Sequence, residues 1–255
     1  MTGKVTTRRN LPILYKLREF AKAVLLGGLV CLVVGLVAGG SLSHSPSAVF
    51  ARQAEARQRA IMFYAIDESV HSALEKTGLS AQKLFFWSRE HPASNVRYLW
   101  GWERRDQKNV AVLALYITSQ NKDIDPLVAW RQAVSFVHYS KKYDVPLDLA
   151  VAVANTESHF KPEARSGFGA MGVMQVAWHV HEHLLKANGI AAAEDLYDPE
   201  MGIAAGTLLL SRYLNHYGST QRALERYYGG AVSRYWPKVS RYIAKVKSWG
   251  LKTEI

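Results

Sequence analysis

Residues 145–156 (VPLDLAVAVANT) form an apolar run that closes on a carboxylate, Glu157, and passes at once into a stretch of small residues. The run predicts a buried helix, because its apolar positions leave no polar face. A carboxyl at the end of such a run loses hydration, which disfavours its charged form and raises its pKa. That is the usual way to hold a carboxylic acid protonated near neutral pH, where it can serve as a general acid. Ser166, Gly167, Gly169, Ala170 and Gly172 follow. They let backbone approach a ligand closely, since glycine lacks a Cβ and tolerates positive φ. Met174 and Gln175 come next as candidate cleft-lining groups, and Met174 and Phe160 also suit packing beneath a cleft floor.

The 255 residues allow one or two domains with a sizeable core, and 49% hydrophobic content excludes general disorder. The formal net charge is +11. Residues 1–22 carry six basic side chains (Lys4, Arg8, Arg9, Lys16, Arg18, Lys22) against one acid, Glu19, which leaves +6 on the remainder. That excess suits an acidic polymer or an anionic surface. Residues 23–43 (AVLLGGLVCLVVGLVAGGSLS) hold no charge and are long enough to cross a hydrocarbon core as a helix. With the basic residues on the N-terminal side, the expected topology is a single pass with a cytoplasmic N-terminus. A cleaved signal and secretion form the competing reading. The only cysteine, Cys31, lies within this span, so the rest of the chain has neither disulfide nor thiolate metal site.

Four segments are expected: a basic cytoplasmic segment at 1–22, a transmembrane helix at 23–43, a helical stem or accessory region at 44–125, and a helical domain at 126–255 that carries the chemistry. Within the stem, Ile61, Tyr64, Ala65, Val70, Ala73 and Leu74 recur at helical spacing. An aromatic patch (Phe85, Phe86, Trp87, Tyr98, Trp100, Trp102) follows, and 91–95 (HPASN) has loop composition. Residues 111–117 (AVLALYI) fit a strand or a buried helix equally well. Pro126 and Pro146 suit helix first turns, and Asp198-Pro199 and Gly218-Ser219-Thr220 mark breaks.

Four ordered blocks resemble the soluble lytic transglycosylase (SLT) catalytic domain family. They are Glu157-Ser158; Ala164 to Gln175, matching A-x-S-x-x-G-A-x-G-x-M-Q; Asp198-Pro199 with Ile203 and Gly206; and Tyr227-Tyr228-Gly229-Gly230, matching a Y-N-A-G turn. The likeness covers about residues 135–247 and leaves 44–125 unaddressed. It implies a mainly all-α, goose-lysozyme-like domain with a substrate cleft. It also implies cleavage of the β-1,4 bond between N-acetylmuramic acid and N-acetylglucosamine in peptidoglycan, with a 1,6-anhydromuramoyl product end. Glu157 matches the sole catalytic acid/base of the family. Ser166 matches a serine near that carboxylate and the substrate N-acetyl group. Gln175 matches a cleft-lining glutamine, and Tyr227 matches the tyrosine that helps orient the acid. Three departures bear on specificity: Ala177-Trp178 stands where a proline is usual, Tyr228-Gly229 replaces the asparagine and alanine, and Arg226 replaces a common small residue before the tyrosine.

Most glycosidases need a second carboxylate. Here Asp148 lies two helical turns before Glu157, on the order of 13 Å along the axis, and suits the helix N-terminal dipole instead. Glu163 follows Pro162 on an expected exposed turn. His179, His181 and His183 lack a zinc-protease arrangement, and no lysine follows the glycines in a phosphate-loop position. No metal, cofactor or nucleic-acid partner is therefore expected. The expected partners are peptidoglycan glycan strands, the bacterial inner membrane through 23–43, and an envelope-spanning secretion or conjugation machine, with the catalytic domain in the periplasm. The alternatives are a glycan-binding assembly factor of such a machine and a lysozyme-type hydrolase.

Overall fold

The computed structural model describes Phe50, Arg52, Gln53, Ala56 and residues 65–251. The segments 1–22 and 23–43 lie outside the described residues, and with them the expected membrane span. Among the described residues no helix is long and apolar enough to cross a membrane. The chain divides into two units, Met1–Ala54 and Glu55–Ile255, and all that follows concerns the second.

The unit is mainly helical. In chain order it holds α1 (Glu68–Thr77), α2 (Ala81–Glu90), a 3-10 helix (Asn95–Gly101), α3 (Arg104–Gln120), α4 (Pro126–Tyr143) and α5 (Leu147–Ser158). A two-stranded ribbon follows, β1 (Ala170–Met171) and β2 (Val176–Ala177). Then come α6 (Trp178–Ala187), a second 3-10 helix (Ala193–Tyr197), α7 (Pro199–Tyr217), α8 (Thr220–Tyr228) and α9 (Val232–Ser248).

Local chemistry sets several helix starts. Asp125 accepts from the N–H groups of Leu127 and Val128 ahead of Pro126, and Asp198 accepts from those of Glu200 and Met201 ahead of Pro199. Each aspartate satisfies donors that the first helical turn leaves free, and each proline sits where its missing N–H is harmless. Pro146 lies one residue earlier than a first-turn position, as the cap of α5. Residues 111–117 are helical, within α3. Val110, Leu113, Ala114 and Ile117 are all buried there, at the spacing of one helix face.

The helix α5 is the hub. Every residue from Asp148 to Asn155 is buried, and the helices α9, α4 and α7 pack around it. One hydrophobic cluster runs from Ile66 to Leu251, so the 65–125 helices and the 126–251 helices share a core. Polar cross-links fix that sharing. The Trp130 indole N–H donates to Thr77 Oγ1 at 2.9 Å, and Asn95 Nδ2 donates to Ser135 Oγ at 3.0 Å. Glu200, 6% exposed, accepts from Ser94 Oγ, the Asn95 backbone N–H and Arg131 Nε. Removing one member of a buried ionic network strands the others without solvation. Glu200→Ala is therefore expected to cost about 3 kcal/mol of folding stability, read as a lowered urea midpoint.

Candidate active site

Glu157 sits in the last turn of α5, half-buried. The chain leaves the helix through two consecutive residues with positive φ, His159 at 51° and Phe160 at 65°. That turn sends the Phe160 ring into the core, where it is fully buried, and Gln132 Nε2 donates to its carbonyl at 3.0 Å. The hydroxyl of Ser158, next to the acid, donates to the Val173 carbonyl at 2.6 Å. The small-residue loop is thereby fastened beside Glu157.

The loop is internally braced. Ser166 N–H donates to the Ala170 carbonyl, and Ala170 N–H donates to Ser166 Oγ. The Ser166 hydroxyl thus accepts a bond within its own turn. Gln175 stands at φ 49°, and its Nε2 donates to the carbonyls of Ala164 (2.9 Å) and Gly172 (3.1 Å). Both amide hydrogens are spent inside the loop, so a ligand is left only the Gln175 side-chain oxygen. Met174 is fully buried and packs against Gly206 of α7, so its side chain lies beneath the loop. A Cβ at Gly206 would meet the Met174 side chain at 2.5 Å, which is why the D-P-x-x-x-I-x-x-G block ends in glycine. Phe168, at the tip of the loop, is 93% exposed.

The carboxyl is held by a residue the sequence reading did not single out. Tyr235 Oη donates to Glu157 Oε1 at 2.5 Å. Tyr235 is buried in the first turn of α9 and stacks on Tyr228 with ring centroids 4.6 Å apart. The hydroxyl of Tyr227 goes elsewhere, donating to the Met174 carbonyl at 2.8 Å. Its direct contact is therefore with the loop. The sequence held one usable signal: Tyr235, Val239, Tyr242 and Val246 recur at helical spacing and mark a buried face.

Burial raises the Glu157 pKa, while the Tyr235 hydrogen bond and the charge of Lys238 pull it back without cancelling the rise. Among the described residues no carboxylate is among the groups that act on it. Asp148, at the other end of α5, pairs with Lys247 at 2.9 Å. Burial and the negative charge of Glu157 raise the pKa of Tyr235 and Tyr227, so both stay protonated donors. Burial, Arg226 and His179 lower that of His181. Among the described residues no group of His, Cys, Asp and Glu could hold a metal ion.

The fold and site define a helical domain built on one desolvated, tyrosine-braced carboxyl. Residues 135–247 match the family described as the Transglycosylase SLT domain, and the chain carries an SLT-family domain there. Three relatives are similar to it. The transglycosylase of Enterobacteria phage PRD1 is 36% identical over 42% of this chain and 38% of that protein. The membrane-bound lytic murein transglycosylase C of Yersinia enterocolitica is 39% identical over 37% and 28%. The soluble lytic murein transglycosylase of Escherichia coli K12 is 27% identical over 65% and 25%. The chain spans well under half the length of each. A solved structure, the 70 kDa soluble lytic transglycosylase from Escherichia coli, aligns with a TM-score of 0.37 at 20% identity, over 72% of this chain and 34% of that one.

Proposed function

We propose that this chain is a peptidoglycan lytic transglycosylase with Glu157 as its single general acid/base. The observation that carries the reading is the state of that carboxyl. Burial favours its protonated form, one tyrosine orients it, and among the described residues no carboxylate acts on it. The SLT match and the names of the relatives supply the substrate class.

The step balances without water. Glu157 gives its proton to the glycosidic oxygen as the C1–O4 bond breaks. The carboxylate so formed takes the proton from the muramoyl O6 hydroxyl as O6 bonds to C1, which returns the acid to its starting state. The substrate N-acetyl group assists at C1 between these events, where a second carboxylate would otherwise stand. Tyr235 stays a donor throughout and stabilises the carboxylate after the first transfer. The Ser166 hydroxyl and the Gln175 side-chain oxygen are assigned to sugar contacts by the family resemblance of the loop that carries them. Residues 23–43 tether the domain to the inner membrane, on the side away from the basic N-terminus.

Mass spectrometry of products from purified sacculi tests the reaction. Anhydro ends, one water lighter than reducing ends, are expected. Reducing ends would make the chain a lysozyme-type hydrolase, and no release would remove the enzymatic reading. The role of Tyr235 has its own test. Its hydrogen bond favours the charged carboxylate, so Tyr235→Phe removes a lowering influence and raises the Glu157 pKa further. The rate requires protonated Glu157 and falls as pH rises through that pKa. The alkaline limb of the kcat profile is therefore expected to move to higher pH in Tyr235→Phe. Its maximum should fall about tenfold through lost orientation and lost carboxylate stabilisation. An unmoved limb would show that the contact does not act on the acid.

A further inference from the structure

A pocket of about 470 Å³ opens at the foot of α5. It includes Leu147, the first residue of that helix, which lies about 15 Å along the axis from Glu157. The start of α3, the last turns of α4 and the turn into α5 form its wall. Val137, Val145, Pro146 and Leu147 give the wall an apolar side. Glu103 and Asp144 bring carboxylates to it, and Ser140 brings a hydroxyl. The two cations of the wall are engaged already. Lys141 Nζ donates to Asp106 Oδ2 at 2.5 Å, and Arg105 has interactions of its own.

The wall groups are not explained by the fold. Serine and threonine hydroxyls inside helices commonly donate to a carbonyl three or four residues earlier, as Thr118, Ser119 and Thr156 do. Ser140, inside α4 and 5% exposed, does not, and among the described residues its Oγ has no hydrogen-bond partner. A buried hydroxyl left unpaired costs stability. Glu103 caps α3 but makes no capping hydrogen bond. Asp144 closes α4 at φ 52°, where glycine would fit at less cost, and sets an anion at the negative end of the helix dipole. Among the described residues neither carboxylate has an ion-pair partner. The two lysines in the last turn of α4 are held elsewhere, Lys141 by Asp106 and Lys142 over the Tyr139 and Tyr143 rings.

Among the described residues no group of acids and histidines could hold a metal ion, and an apolar wall offers such an ion no ligands. An alkylammonium fits better. Its head has three donors and no acceptor, and its aliphatic stem packs on apolar surface. The pocket presents three acceptor side chains, Glu103, Asp144 and Ser140, beside apolar ones. We propose that this pocket binds the ammonium end of an aliphatic amine, supplied by a free polyamine or by a lysine side chain of another protein. The site is separate from Glu157 and does not rest on the transglycosylase reading.

Ligand-detected NMR titration of the full chain with 1,5-diaminopentane is the test, with 1-pentanol and pentanoate as neutral and anionic controls. The diamine is expected to bind more tightly than either control, and to weaken as salt rises. Glu103→Gln and Asp144→Asn should each weaken it about threefold, and together about tenfold. Ser140→Ala separates a ligand role from a structural one. It should weaken the diamine about threefold and leave Tm unchanged or higher, because it removes an unpaired buried hydroxyl. A peptide with one lysine and blocked ends distinguishes the two sources: tighter binding than the diamine assigns the pocket to a protein lysine, weaker binding to a free amine. A control that binds as tightly as the diamine would overturn the proposal. So would a double variant that binds the diamine like the wild type, or a Ser140→Ala chain with lowered Tm and unchanged diamine affinity.

Discussion

Glu157→Gln is expected to lower anhydromuropeptide release about 10³-fold or more, since one group supplies both proton transfers. Glutamine keeps the size and a hydrogen-bond acceptor for Tyr235 but cannot give up a proton. A second carboxylate would soften the loss, and among the described residues none acts on Glu157. The variant should not be less stable. Folding raises the pKa of this carboxyl, so the native state holds the proton more tightly than the unfolded chain does. The associated stability is fully present below the ordinary glutamate pKa. It declines as pH rises toward the raised native value, above which the fold carries a desolvated carboxylate. Glutamine removes that penalty, so at neutral pH the variant should melt at or above the wild-type temperature. Full activity in the variant would exclude Glu157 as the acid. Lost activity with a lowered melting temperature would point to a damaged fold instead.

Gly172→Ala is expected to be the most damaging small change in the loop. Gly172 has φ 76°, and a Cβ there would lie 1.9 Å from the Leu196 carbonyl oxygen. That oxygen is backbone in the second 3-10 helix, which is itself pressed on Gly202 of α7, where an added Cβ would meet the same atom at 2.7 Å. No flexible side chain can swing away. The left-handed backbone costs an alanine about 1 kcal/mol and the clash adds about 2 kcal/mol or more. For a unit of this size that lowers Tm by on the order of 10 °C. Because the same loop is tied to Ser158 beside the acid, residual activity should fall even below the melting transition. Differential scanning calorimetry and the release assay check the two effects. A Tm within about 2 °C of wild type would show that the loop and the 3-10 segment separate freely.

The mainly helical fold was legible because apolar spacing and cap residues act over a few residues. Asp125-Pro126 and Asp198-Pro199 announce helix starts by chemistry confined to one turn. The stretch 111–117 was not decidable alone, because a short apolar run fits strand and helix alike until its flanks pack. In place, α3 continues on both sides of it and presents one face to the core. The stem region gave helical spacing but no hint that Asn95 and Ser94 would reach Glu200, since that contact spans more than a hundred residues.

The site divides along the same line. Glu157 and the small-residue loop behind it are neighbours in sequence, and an apolar run followed by a carboxyl is enough to mark the acid as one that loses water. Which tyrosine holds that acid depends on how α8 and α9 turn back over α5. Tyr227 and Tyr235 are two helices' ends apart in sequence terms but both enter the field of Glu157. Only the packing of α9 against α5 brings Tyr235 Oη to the carboxyl and leaves Tyr227 to the Met174 carbonyl. The sequence by itself marked Glu157 as a carboxyl that loses water, the small-residue loop beside it and the helical class, because each follows from local burial and spacing. The tertiary structure alone decided the acid's partner. Hydrogen bonds and charge pairs form between surfaces that meet only after long-range packing has closed.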